Sequence, residues 1–258
     1  MLLLWMRGNP ETNVGDIITP YLYKKITKLK PDHWTHYYDT DREVIYGSGS
    51  ILSNFTTRKN VIVWGTGVMT DKEELNNVKN ILAVRGPITR KLFLKNNIDC
   101  PEIYGDPALC LPMVYPKKNI IKKFKLGIIP HFVDFDEIYE LYKDVSDINI
   151  ISVRLDVESF IDEVCKCEKT ISTSLHGMII SHAYCIPSVS IKISDKLCGD
   201  GTKFIDYKLS VGLDNNKILN INLIDKDLDF LLNVVNDEPQ PHFPININKL
   251  CEVCPFIS

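Results

Sequence analysis

Thr170-Ile-Ser-Thr-Ser-Leu-His-Gly-Met-Ile-Ile-Ser-His-Ala-Tyr-Cys-Ile-Pro187, followed by the apolar run Ser188 to Ile193, is the stretch that decides the fold. A short β-branched run, Thr170 to Thr173, meets a Ser/Thr-rich turn. A helical pattern from about Leu175 to Tyr184 follows, and an apolar run resumes after Pro187. Strand, helix and strand in this order make a βαβ unit, and the crossover through a helix implies a parallel pair, because antiparallel neighbours need only a hairpin.

The same rhythm spreads outward in both directions. Upstream, the pattern predicts strands at Leu126–Ile129 and Ile148–Val153 and helices at Asp134–Tyr142 and Val157–Cys165. Nearer the N-terminus, strands are predicted at Leu2–Met6, Val44–Tyr46, Val61–Trp64 and Ile81–Val84. A polar turn, residues 7–16, leads into an amphipathic helix carrying Ile17, Ile18, Tyr21, Leu22 and Ile26, and Pro87 opens another helix running to about Lys95. Pro116 and the lysines at 117, 118, 122, 123 and 125 mark a connection between two halves. The expected organisation is therefore a Rossmann-like domain over residues 1–116, a second over 117–236, and an irregular strap over 237–258 with prolines at 239, 241 and 244.

Composition bounds the function. The chain has 258 residues, 45% hydrophobic and 24% charged, with 30 Lys plus Arg against 33 Asp plus Glu, so it is globular and lacks the basic face that nucleic-acid binding requires. The leading apolar run, Leu2 to Met6, is far short of a bilayer span and lacks a signal peptide's basic region, which predicts a cytoplasmic protein with no transmembrane segment. Eight scattered cysteines do not form a secreted disulfide framework. Cys251-Glu-Val-Cys254 has redox or zinc-knuckle spacing, but a structural zinc needs four ligands, so buried thiols and no metal are expected.

Several strands end alike, in glycine or a small polar residue before a helix: Asn13-Val-Gly15-Asp16, Gly47-Ser-Gly49-Ser50, Trp64-Gly-Thr-Gly67, Arg85-Gly-Pro87 and Ser174-Leu175-His176-Gly177. In open α/β sheets ligands collect at these carboxyl ends, where glycine admits close approach and helix N-termini favour anions. Glycine also serves tight turns that bind nothing. His176 falls in the first turn of an apolar helix, placed to trade protons near neutral pH; His182 reads as a core histidine, and Ser174 also suits an N-cap. Arg85 and Arg154 directly follow strands, and Lys196 and Lys203 lie in the loop after Ile193. Each cation alone reads as a solvated surface residue, and their shared position at strand ends is what points to an anion site. Gly105-Asp106-Pro107-Ala108 offers a carboxylate, although Asp-Pro also opens turns.

Taken in order, these motifs resemble the polysaccharide pyruvyl transferase family, as do His182-Ala-Tyr-x-Ile186-Pro187 and Lys203-Phe-x-Asp206-Tyr207, over about residues 10–215. The resemblance implies a GT-B-like fold, two Rossmann-type βαβ domains facing across a cleft, with the first half on the acceptor side and the second on the donor side. It implies transfer of pyruvate from phosphoenolpyruvate, with no further cofactor, onto two hydroxyls of a sugar or lipid-linked glycan, giving a cyclic ketal and phosphate. It places the catalytic histidine on His176, the anion-binding arginine on Arg85 and a functional lysine on Lys196. Asn13, Gly15, Asp16, Gly49, Ser50, Gly67, Asp106, Arg154, Ser174, Leu175, Gly177 and Lys203 are then expected to line the substrates, with peripheral association with membrane-bound glycan machinery. Some members carry arginine immediately before the Leu-His pair, where this chain has Ser174, so part of the donor clamp comes from elsewhere or is missing. Two alternatives stand beside this expectation: a GT-B glycosyltransferase using a nucleotide sugar, and a non-catalytic carbohydrate-binding relative.

Overall fold

The computed structural model describes residues 2–6, 13–36, 42–52, 60–73, 75, 78, 80–196, 199–214, 218–224 and 226–257. Much of the expected polar turn (residues 7–12) and Leu197 and Cys198 of the loop after Ile193 lie outside these described residues.

Two parallel sheets form among the described residues. The first contains β1 (Leu2–Leu4), β2 (Val44–Tyr46), β3 (Val61–Trp64) and β4 (Asn80–Ala83), in that order. The second contains β5 (Phe124–Ile129), β6 (Ile148–Ile150), β7 (Cys167–Ser172), β8 (Ser188–Lys192) and β9 (Leu219–Asn220), in the order β6-β5-β7-β8-β9. Near-continuous apolar runs suit strands covered on both faces, and the two-residue period sends alternate side chains to opposite sides. Leu2, Leu4, Val44 and Val63 enter one core cluster, while Leu3, Ile45 and Trp64 enter another.

The helices are α1 (Ile18–Thr27), α2 (Pro87–Lys95), α3 (Leu111–Val114), α4 (Phe135–Tyr142), α5 (Val157–Cys165), α6 (Leu175–Ala183), α7 (Thr202–Ser210), α8 (Leu228–Asp237) and α9 (Asn248–Glu252). Their starts have local causes: Pro87 stands at the first turn of α2, and the Asp156 carboxylate caps α5 through the amides of Glu158 and Ser159.

Some expected boundaries need correction. The first strand stops at Leu4, where the Trp5 carbonyl turns to His33 Nε2 (2.9 Å). β6 ends at Ile150, and β7 begins three residues earlier than expected, directly after α5. The sequence pattern does not signal α7, whose buried face mixes Phe204 and Tyr207 with Asp206 and Lys208 and so lacks an apolar stripe.

The halves share a core. Ile18, Leu109 and Leu111 from the first half and Phe160, Ile179 and Ile180 from the second belong to one buried cluster. The C-terminal segment, expected to be irregular, contains α8's last residue and α9 and returns to the first sheet: Trp64 Nε1 donates to the Leu250 carbonyl (3.1 Å), and the Trp64 and Phe256 rings pack edge to face at 5.3 Å. The lysine-rich connection is tied down, with Lys117 paired to Asp162 and Lys122 bonded to the carbonyls of Cys165 and Cys167. No helix among the described residues is long and apolar enough to cross a membrane.

Candidate active site

α6 begins where β7 ends, and the turn between them holds its own shape. Ser172 Oγ accepts from the Ser174 amide (3.0 Å), the Thr173 amide donates to the Ile129 carbonyl (3.1 Å), and Thr173 Oγ1 accepts from the His131 amide (2.7 Å). Ser174 takes the N-cap position, yet its side chain makes no capping bond. Gly177 is required for packing: a Cβ there would lie 2.3 Å from Ser172 Oγ and 2.7 Å from Ile129 Cγ2. The helix can therefore press against the sheet and direct the preceding side chain, His176, at the first half.

His176 meets three first-half segments. Its Nε2 lies 2.8 Å from Ser48 Oγ, which is also 2.9 Å from Asp106 Oδ1, and Asp106 Oδ2 is 3.5 Å from Nε2. With the Ser48 proton given to the carboxylate, Nε2 donates and Ser48 accepts; this proton assignment follows from the network. Asp106 is fully buried, and Oδ2 has no hydrogen-bond partner among the described residues, so the imidazole is its charge-compensating neighbour. Burial pushes the Asp106 carboxyl up, but the influence of His176 and the bonds from Ala108 and Ser48 outweigh it and hold the group below the usual carboxylate value. The other ring nitrogen faces Gly15, where a Cβ would come within 2.0 Å of Nδ1. Asn13 shapes that turn by accepting from the Gly15 amide (3.0 Å). Burial raises the neighbouring Asp16 carboxyl, against the opposing pull of the His176 charge.

Arg85 departs from expectation. Its guanidinium is fully buried and bonded internally, Nε to Asp206 Oδ2 (3.2 Å), Nη1 to Ser50 Oγ (2.6 Å) and Nη2 to the Val68 carbonyl (2.5 Å). The carboxylate on this fork belongs to α7, so Arg85 joins the halves and does not present an open anion site. Gly67 leaves room for it, since a Cβ there would stand 2.5 Å from Cζ. Residues 47–50 link the two networks: Ser48 reaches His176 and Ser50 reaches Arg85, with Gly49 between them at φ 109°.

The remaining cations gather at the second sheet. Lys196, its side chain 53% exposed, pairs with Glu137 Oε2 (3.1 Å) and approaches Asp134 (3.9 Å). Arg154 lies over the Phe132 ring (5.6 Å), which packs on His131 (4.2 Å). Burial, aided by the Lys203 charge, lowers His131 to about 4. Ser48, Thr173, His131, Asp134 and Asp206 were not singled out as site residues; the Gly-Ser-Gly-Ser and Lys-Phe-x-Asp-Tyr motifs flagged two of them, and only spatial neighbours reveal the others.

His182, the eighth residue of α6, is a core residue as expected. Nε2 donates to the Ser188 carbonyl (3.0 Å), leaving Nδ1 to accept from Tyr207 Oη (3.0 Å). Burial, with Lys208 nearby, lowers it to about 4. Because the folded value lies below the unfolded one near 6.5, its contribution is complete above about pH 6.5 and is lost as pH falls toward 4. His131 acts with the same sign. Urea midpoints are expected to drop over this range, with a shallower slope in His182→Gln; an unchanged slope would contradict the assignment.

The family model for polysaccharide pyruvyl transferase matches residues 9–195, an interval containing Gly15, Ser48, Arg85, Asp106 and His176. An uncharacterized protein of Acanthamoeba polyphaga mimivirus is 30% identical over 216 residues, which span 80% of this chain and 74% of that protein.

Proposed function

Because the chain belongs to the polysaccharide pyruvyl transferase family, we propose that it moves the pyruvyl group of phosphoenolpyruvate onto two hydroxyls of a sugar in a cell-surface polysaccharide or its precursor, forming a cyclic ketal and releasing phosphate. The observation that carries this reading is the buried Ser48–His176–Asp106 network, in which a carboxylate 3.5 Å from the imidazole stands ready to compensate its charge.

His176 takes the proton of the attacking sugar hydroxyl, Asp106 steadies the resulting imidazolium, and the proton is passed to the departing phosphate. Asp16, raised by burial, is the adjacent group that protonates the donor's methylene carbon, and it recovers a proton from the second sugar hydroxyl as that oxygen closes the ketal. The donor's carboxylate and phosphate face the first amides of α6, which lack a side-chain cap, with Arg154 and Lys203 supplying positive charge in place of Arg85. The His176 side chain is 9% exposed, and in this reading the substrates reach it at the rim of the seam where Gly15 and Ser48 meet α6. We take that seam as the cleft of a GT-B-like arrangement, with residues 1–116 on the acceptor side and 117–236 on the donor side. We place the reaction in the cytoplasm, beside membrane-bound glycan machinery that supplies a lipid-linked acceptor.

The test incubates the purified chain with phosphoenolpyruvate and a panel of free and lipid-linked glycosides. Expected are equal amounts of inorganic phosphate and an acceptor carrying the mass of a pyruvate ketal, together with a higher melting temperature in phosphoenolpyruvate. Stabilisation and turnover by a nucleotide sugar, with no response to phosphoenolpyruvate, would overturn the reading.

A further inference from the structure

The cysteines of the C-terminal segment are unused by this chemistry, and one of them has a partner far away in sequence. Cys251, on α9 and partly exposed, has its sulfur 3.5 Å from Cys110 Sγ across a separation of 141 residues. Met113 Sδ lies 3.2 Å away on the other side, and Cys254 lines the same small apolar cavity with Ile26, Val114 and Ile257. Among the described residues, no three His, Cys, Asp or Glu side chains are grouped to hold a metal ion. The geometry is that of two thiols needing about 1.5 Å of approach to reach disulfide bonding distance.

We propose that Cys251 is a thiol-modification site whose resolving partner is Cys110, so that a small-molecule disulfide oxidises the pair to a Cys110–Cys251 disulfide. The Cys251 thiolate attacks one sulfur of the small disulfide, breaking its S–S bond, releasing one thiolate and leaving a mixed disulfide on Cys251. Cys110 then loses its proton to the released thiolate and attacks Cys251 Sγ, expelling the second small thiolate. Two protein thiols are oxidised, and one small disulfide is reduced to two thiols. The roles follow from position: Cys251 is partly exposed, whereas Cys110 is buried behind it. The bond would tether α9, whose Leu250 carbonyl holds Trp64, to the 3-10 turn Pro107–Cys110 that follows Asp106.

The experiment treats the reduced full-length protein with oxidised glutathione, blocks free thiols with N-ethylmaleimide and maps the peptides without reduction. A cross-linked pair of peptides carrying Cys110 and Cys251 is expected, with a melting temperature raised by roughly 5 °C or more and restored by dithiothreitol. Cys110→Ser is expected to stop at one glutathione on Cys251, and Cys254→Ser to cross-link as the parent does. A Cys251–Cys254 bond, or Cys251 recovered as the maleimide adduct after oxidation, would overturn the proposal. Should Cys110→Ser not fold, the parent map decides alone.

Discussion

Replacing His176 by alanine is expected to reduce phosphate release from phosphoenolpyruvate and acceptor by about 10²- to 10⁴-fold, the usual contribution of a positioned acid or base. The fold should survive. The Ser48–Asp106 hydrogen bond (2.9 Å) does not depend on the imidazole, and the Ala108 amide (2.9 Å) still serves Asp106 Oδ1. What is lost is the imidazole ring 3.5 Å from Asp106 Oδ2, which leaves a buried carboxylate oxygen with no polar neighbour among the described residues, so a lower melting temperature with an unchanged circular dichroism spectrum is the expected companion result. The activity loss should lie in turnover more than in phosphoenolpyruvate affinity, because the donor's charges are assigned to the α6 amides, Arg154 and Lys203. Full turnover by His176→Ala would reject the histidine's role outright.

Asp206→Ala is expected to be the most destabilising single substitution considered, by about 3–5 kcal/mol, because it removes one member of a buried ion pair and strands the other. Asp206 serves two elements at once. Its Oδ1 accepts from the Ile88 and Thr89 amides at the start of α2 (2.9 and 3.1 Å), and its Oδ2 accepts from Thr89 Oγ1 (2.7 Å) and Arg85 Nε (3.2 Å). Gly86, the N-cap residue, cannot substitute for it, having no side chain; a Cβ there would fall 1.9 Å from the Asp206 carbonyl oxygen. The loss is a large fraction of the total stability of an ordinary domain, about 5–15 kcal/mol, and should appear in the urea midpoint. The double variant Arg85→Met, Asp206→Leu should recover part of it, since no unpaired charge remains. A change of less than about 1 kcal/mol in Asp206→Ala would show that the pair does not hold the halves together.

Most of the strand and helix order is legible in the sequence, but α3, α7, β9, α8 and α9 are not. Each legible element is written in local terms: β-branched runs covered on both faces, a first-turn proline at residue 87, and the Asp156 cap of α5. The sequence likewise marks the end of β7 and the start of α6 as the candidate site, because a polar turn and a histidine interrupt a stretch otherwise apolar. It could not assign partners. Ser48 and His176 are 128 residues apart, and Arg85 and Asp206 are 121 apart, so no local period relates them. Arg85 and His176 looked alike in sequence, each directly at the end of a strand. Tertiary packing separated them by what it placed opposite: α7 brought a carboxylate to the guanidinium and sealed it, while the glycine at 15 and the serine at 48 left the imidazole between the halves. Local pattern determines where the chain is extended or helical, because those energies are short-range. Which charges meet is set only when packed helices bring distant residues together in a medium where an unpaired charge is too costly to bury.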